Sequence, residues 1–149
     1  MTSGLLSFGY QSLTADLLVS HLHEAGAKVL ADVRLTPMSR TRGLTKRAFA
    51  ERLAAVGIEY RHYPTLGNPK DNRAGLNRQA PAATARYQML LDGPAAREAL
   101  DALLDLSADS SVAVLCFESE EDHCHRRLVI EALVARGARR LEVIPGICD

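Results

Sequence analysis

The chain has 149 residues, of which 47% are hydrophobic and 24% charged, and this composition excludes an intrinsically disordered protein. No apolar run is long enough to cross a membrane and no charged-then-apolar leader begins the chain, so we expect no membrane association. The odd number of three cysteines favours a reducing cytoplasm as the location. Net charge is zero, yet the segment 34–86 carries eleven Lys or Arg and three acids. This basic segment favours an anionic small molecule or a nucleic acid as partner; exposed faces that are simply rich in arginine are the alternative.

Strands and helices are predicted to alternate along the chain, within one domain that spans residues 1–149. The predicted strands are 5–8, 28–33, 58–63, 111–118 and 140–144. The predicted helices run from a Thr14 cap to Gly26 and over 46–56, 82–91, 95–106 and 128–134. This alternation predicts an α/β fold, with a mostly parallel sheet of about five strands and helices on both faces. The stretch 64–81 is predicted to be a long loop, which is typically functional or mobile.

Polar side chains follow several of these strands, at the sheet edge where ligands of parallel sheets bind. The basic loop after the second strand adds a hydroxyl and further guanidinium groups. The candidate substrate-binding residues are Tyr10, Asp32, Arg34, Ser39, Arg40, His62 and Arg126. Asp32 and Arg34 alternate along one strand and therefore point to the same side, either as an ion pair or with Arg34 directed at an anion. We expect one cleft at this edge.

The apolar run 111–118 predicts a strand buried on both faces, and a cluster of reactive side chains follows it. The candidate catalytic residues are Cys116, Glu118, Cys124 and His125. Ser119 and Asp122 fit a capping box, which would place Cys124 in the first turns of a helix. On a helix the adjacent His125 would point about 100° away from that thiol.

Two roles are open for Cys124. It is either a nucleophile with a histidine as its base, with His62 and His123 as further candidates, or a buried thiol that packs against Cys116. In the second case Glu118 is the candidate general base and Arg126 binds the anion. The spacing matches no usual zinc pattern, so we expect no metal. The odd number of three cysteines argues against a disulfide between Cys116 and Cys124.

Several of these segments together resemble the bacterial family called domain of unknown function 488. The resemblance rests on residues 8–12, 32–34, Pro37, 39–40, 49–60, 66–67, 115–118 and 124–126. It implies a Rossmann-like three-layer α/β domain and supplies no activity or cofactor. One departure is Asn68, which stands where the family often has a second glycine after Gly67.

The Asp-Val-Arg segment that ends at Arg34 and a cysteine after another strand are also similar to rhodanese-like sulfurtransferases. Their anion loop needs a tight ring of backbone N–H groups, yet no glycine follows Cys116 until Gly137. We interpret this second similarity as superficial. Two functions remain: an enzyme acting on a phosphate-bearing nucleotide or nucleic acid, and a non-catalytic module that binds nucleic acid through the basic segment 34–86.

Overall fold

A computed structural model of the chain describes residues 3–36, 45–118 and 120–141. Its strands are β1 (Gly4–Gly9), β2 (Val29–Asp32), β3 (Glu59–His62) and β4 (Ser111–Cys116). Its helices are α1 (Ala15–Glu24), α2 (Lys46–Ala54), α3 (Arg73–Asn77), α4 (Pro81–Leu91), α5 (Pro94–Asp109) and α6 (Arg126–Ala135). The predicted alternation of strands and helices is confirmed, and no helix of the described residues is long and apolar enough to cross a bilayer.

The four strands form one parallel sheet in the order β1-β4-β2-β3. The expected number of about five strands is therefore not reached within the described residues. Only the start of the predicted last strand is described, where Arg140 forms a single parallel bridge with Leu5. The rest of that segment, and the proposed likeness to Rossmann folds, stay predictions.

Side chains alternate across the sheet, so β1, β2 and β4 each contribute to two apolar clusters. In β4, Val112 and Val114 face the cluster beneath α4, α5 and α6, whereas Ala113 and Leu115 face the cluster beneath α1 and α2. The middle strands β4 and β2 are buried along their whole length, and the edge strand β3 alternates between exposed and partly buried residues. Helices thus cover both faces of the sheet.

The strand register brings the carboxyl ends of the strands to one edge. Gly9 lies opposite Cys116, and Asp32 lies opposite both Leu115 and His62. The residues that follow these positions therefore meet at the same rim, as the sequence predicts.

The stretch 64–81 is not the open loop that the sequence predicts. It contains turns of 3-10 helix at Pro64–Leu66 and Lys70–Asn72, and then α3. Leu66 and Leu76 are buried in the same apolar cluster as α5, which fixes the segment over one end of the sheet. Gly67 allows this segment to pass close to the chain at Leu35, because a Cβ on residue 67 would overlap the backbone of Leu35.

The start of α6 also differs from its prediction. Residues Glu121–His123 form a turn of 3-10 helix, and Cys124 is extended with φ −132° and ψ 147°. The helix begins only at Arg126, so Cys124 does not lie in its first turns as predicted; Ser119 of the predicted capping box lies outside the described residues.

Candidate functional site

Asp32 holds Arg34 at the end of β2. The Asp32 carboxylate is fully buried and accepts hydrogen bonds from Arg34 Nε at 2.8 Å and Nη2 at 2.6 Å. It also accepts from the Arg34 backbone N–H and from the Tyr60 hydroxyl. Burial, with the hydrogen bond to Asp32, raises the pKa of Tyr60, so this hydroxyl stays a donor at neutral pH. Of the two arrangements that the sequence left open for these residues, the ion pair is present, and it fixes the orientation of the guanidinium group.

The Nη1 side of Arg34 faces an aromatic pair. Arg34 Nη1 donates to the Tyr10 hydroxyl at 3.3 Å, and the guanidinium carbon lies 5.3 Å from the centre of the Tyr10 ring. The Phe117 ring meets the Tyr10 ring edge to face, at 5.3 Å between centroids. His62 lies behind this group, because its Nε2 donates to the Arg34 carbonyl at 2.8 Å.

The two cysteine sulfurs meet at the carboxyl end of β4. The structure joins Cys116 Sγ and Cys124 Sγ in a disulfide, so the expectation of no bond between them is wrong. The chain after β4 turns back through 3-10 helix, and this turn brings Cys124 over the end of the strand. The Cα atoms are 7.3 Å apart, and both side chains are buried.

Arg126 is buried behind the sulfur atoms and does not line the cleft. Its Nε donates to Ser7 Oγ at 2.7 Å, and its Nη1 donates to Cys116 Sγ at 3.1 Å and to the Glu118 carbonyl at 2.7 Å. Its side chain is fully buried. Arg126 thus contacts the Cys116 sulfur from behind, and its binding of a substrate anion stays a prediction.

His125 stands beside Cys124 instead of pointing away from it, because Cys124 is not helical. His125 Nε2 lies 2.8 Å from the Val33 carbonyl, which can only accept, so Nε2 carries the proton. His125 Nδ1 lies 3.7 Å from Cys124 Sγ. Burial lowers the pKa of His125 to about 4, against the bond to Val33, and the charges of Arg126 and Arg73 lower it further. The imidazole is thus neutral at pH 7, with the Nδ1 lone pair directed at the sulfur.

These groups line one cleft of about 330 Å³ at the carboxyl edge of the sheet. Its lining is Tyr10, Arg34, Leu35, Thr36, Asn68, Arg73, Leu76, Cys116, Phe117, Glu118, His123, Cys124 and His125. Six residues predicted for the site, Tyr10, Arg34, Cys116, Glu118, Cys124 and His125, are brought together there. Asp32 and Arg126 support the wall, whereas Ser39 and Arg40 lie outside the described residues.

Sequence reasoning missed the contribution of the segment 64–81 to this cleft. Arg73, Asn68 and Leu76 come from it, and Arg73 is exposed at the start of α3. The signal in the sequence was the pair Leu66 and Leu76, apolar residues within a stretch whose glycines and prolines are typical of a loop. His123, weighed as a base, donates through Nδ1 to the Asn77 carbonyl, and its Nε2 lies 2.9 Å from a Glu120 carboxylate oxygen.

The comparisons with known proteins identify a family and no activity. The family model described as Domain of unknown function DUF488 matches residues 14–133 of the chain. Neither a curated protein nor a solved structure matches it. The match covers all the described strands but β1 and includes the whole of the cysteine cluster.

Proposed function

We propose that this chain, which belongs to the DUF488 family, is an enzyme that acts on a phosphate-bearing small molecule in the carboxyl-edge cleft. One observation carries the proposal: the cleft combines two guanidinium groups with a carboxylate, two sulfur atoms and a neutral imidazole. A concave site with a few converging polar groups on an apolar wall is the usual form of a small-molecule site.

Two arginines supply the charge for an anion. Arg34 is held rigidly by Asp32, and its Nη1 edge lies toward Tyr10 and the cleft. Arg73 approaches from α3, and its charge is close enough to influence His125 deep in the cleft. Planar guanidinium groups bind phosphate oxygens through paired, charge-assisted hydrogen bonds. A phosphate group between the two side chains would accept charge-assisted hydrogen bonds from both.

The apolar wall gives the organic part of the substrate a surface. The Tyr10 and Phe117 rings and the Leu76 side chain lie in the same lining. Aromatic rings of this kind stack on the flat face of a nucleobase. The substrate class that fits both the two arginines and the apolar wall is therefore a mononucleotide or a compound of similar shape.

Glu118 is the general base of this proposal. Its carboxylate is partly exposed in the cleft, and Oε2 lies 3.8 Å from Cys116 Sγ. A carboxylate in that position accepts a proton from a substrate hydroxyl or from water. Once the disulfide is reduced, Cys124 and His125 form a second reactive pair, in which the fixed Nε2–H leaves Nδ1 to accept the thiol proton of Cys124.

The alternative, a nucleic-acid-binding module on the segment 34–86, has weaker support. Four arginines of that segment are engaged in ion pairs with acids of the chain: Arg47 with Glu51, Arg52 with Asp16, Arg61 with Glu59, and Arg86 with Asp71. These pairs offset the positive potential that attracts a phosphate backbone. The arginines are also spread over α2, β3 and α4 and do not form one stripe.

The test is calorimetric titration with adenosine 5′-monophosphate and with adenosine. We expect the nucleotide to bind and the nucleoside to bind far more weakly. Arg73→Gln removes one charge-assisted bond of about 1.5–3 kcal/mol, which weakens binding by roughly 10- to 150-fold. Arg97→Gln is the matched control, since Arg97 is equally exposed but lies on α5 away from the cleft.

Turnover of adenosine 5′-monophosphate is tested with a further variant. Glu118→Gln should abolish phosphate release or transfer and leave nucleotide binding intact. The glutamine amide has the same shape as the carboxylate but does not accept a proton. Equal binding of nucleotide and nucleoside would contradict the proposal. Binding of DNA or RNA that falls steeply with salt and ignores Arg73→Gln would favour the nucleic-acid module.

A further inference from the structure

We propose that Cys116, Cys124 and His125 form a binding site for a divalent transition metal, with Zn²⁺ as the best fit and an open coordination position facing the cleft. One donor atom of each residue lies within 4.8 Å of the other two, and all three residues line the cleft. The proposal does not depend on the proposed substrate, since metal binding is measured without one.

The donor set selects the metal. Two thiolate sulfurs and one imidazole nitrogen are ligands that Zn²⁺ prefers, whereas Mg²⁺ and Ca²⁺ require oxygen ligands. Three protein ligands with a fourth position for solvent or substrate are the pattern of catalytic zinc sites. Among the described residues no fourth His, Cys, Asp or Glu joins this group. The fourth position is therefore available to a molecule in the cleft.

His125 is already oriented as a metal ligand. Its Nε2–H donates to the Val33 carbonyl, so the unprotonated Nδ1 is turned toward the sulfurs. Metal-bound histidines almost always donate their other ring N–H to such an acceptor, which fixes the tautomer and the ring.

The sulfur atoms also have the outer hydrogen bonds that a thiolate site needs. The Arg126 backbone N–H lies 3.4 Å from Cys124 Sγ, and Arg126 Nη1 lies 3.1 Å from Cys116 Sγ. These donors offset the negative charge that two thiolates bring to a buried position. Glu121 helps to hold the arrangement, because it pairs with Arg140 and bonds to Ser7, which in turn accepts from Arg126.

The backbone spacing of the two cysteines suits a metal between them. Their Cα atoms are 7.3 Å apart, beyond the separation of about 4.4–6.8 Å that is usual for disulfides. Two Zn–S bonds of about 2.3 Å at a tetrahedral angle hold the sulfurs about 3.8 Å apart, which asks for a wider backbone spacing. Metal binding requires the reduced pair. A thiol or phosphine reductant supplies the two electrons and is itself oxidised, and solvent supplies the two protons of the thiols. Metal binding then releases these protons to solvent.

A metal at this position would extend the chemistry of the cleft. It would polarise a substrate oxygen or a water molecule at the open position, beside Glu118. Disulfide formation would remove both thiolate ligands and so prevent metal binding.

The experiment uses the full chain, reduced with a phosphine that does not chelate and freed of metal. Titration with Co²⁺ should give one ion per chain and the near-ultraviolet charge-transfer band of cobalt thiolates, and Zn²⁺ should displace the Co²⁺. Cys148→Ser is the matched control, because Cys148 is the third cysteine and not a proposed ligand. It should keep full stoichiometry.

Cys116→Ser and Cys124→Ser should lose the charge-transfer band and bind close to no metal. His125→Gln should also lose tight binding, although its side-chain amide can keep a donor to the Val33 carbonyl and so preserve the fold. Arg73→Gln should bind metal as the wild type does, which separates this test from that of substrate binding.

A second measurement needs no variant. Zn²⁺ should protect Cys116 and Cys124 of the native reduced protein from alkylation, read by mass spectrometry of the peptides, and leave the alkylation rate of Cys148 unchanged. No metal uptake by the reduced wild type, or unchanged uptake by Cys116→Ser, would overturn the proposal. So would equal alkylation of all three cysteines with and without Zn²⁺.

Discussion

Asp32→Asn is expected to destabilise the fold strongly. The Asp32 side chain is 0% exposed and that of Arg34 only 6%, so the substitution removes the charge of Asp32 from beside a buried guanidinium. Breaking a buried ion pair by removing one partner costs about 3–5 kcal/mol, and the amide oxygen that remains as an acceptor puts the loss near ~3 kcal/mol. For a chain of this size that corresponds to a fall in Tm of roughly 6–12 °C.

The assay is urea denaturation followed by circular dichroism, with Asp101→Asn as the matched control. Asp101 also pairs with an arginine, Arg136, but is 71% exposed. Exposed pairs contribute only about 0–1 kcal/mol, so the control should lose little stability. If both substitutions lower the free energy of unfolding equally, the buried pair does not have the stabilising role inferred here.

Three further predictions concern stability. Gly67→Ala should cost about 1–3 kcal/mol in urea denaturation, because the added methyl group meets a packed backbone; no loss would contradict that contact. Thr14→Ala should cost about 1 kcal/mol and Thr45→Ala less, since only the Thr14 side chain accepts a cap hydrogen bond; equal losses would refute the difference. Burial alone would raise the pKa of Glu121. Arg140, Ser7 and Arg126 lower it by more than burial raises it, so the pKa lies below its usual value of 4.5. Its stabilisation is therefore complete above that pH and lost as pH falls through the lowered pKa, and Glu121→Gln should weaken this loss in acid denaturation.

The parts of the fold that the sequence predicts are those set by local pattern. The unbroken apolar run of β4 indicates a strand buried on both faces, and it lies in the middle of the sheet. The alternation in β3 indicates an edge strand, which it is. Because parallel strands share their carboxyl edge, the meeting of Arg34, Cys116 and Glu118 also follows from the sequence.

The parts that the sequence misses are set by contacts between distant segments. A capping box predicts an early start of α6, but the chain stays extended at Cys124, where its sulfur meets Cys116 and His125 reaches the Val33 carbonyl. Counting cysteines cannot detect such a pairing, because it depends on the turn that returns the chain to β4. Arg73 was missed because α3 is short and is held by packing of Leu76, which local propensity does not reveal.

Nucleotide binding in the cleft is tested most directly by a crystal structure of the reduced protein with adenosine 5′-monophosphate. We expect the phosphate between Arg34 and Arg73, with the base against Tyr10 and Phe117. A nucleotide bound elsewhere, for example along α2, or a phosphate that contacts neither arginine, would contradict it.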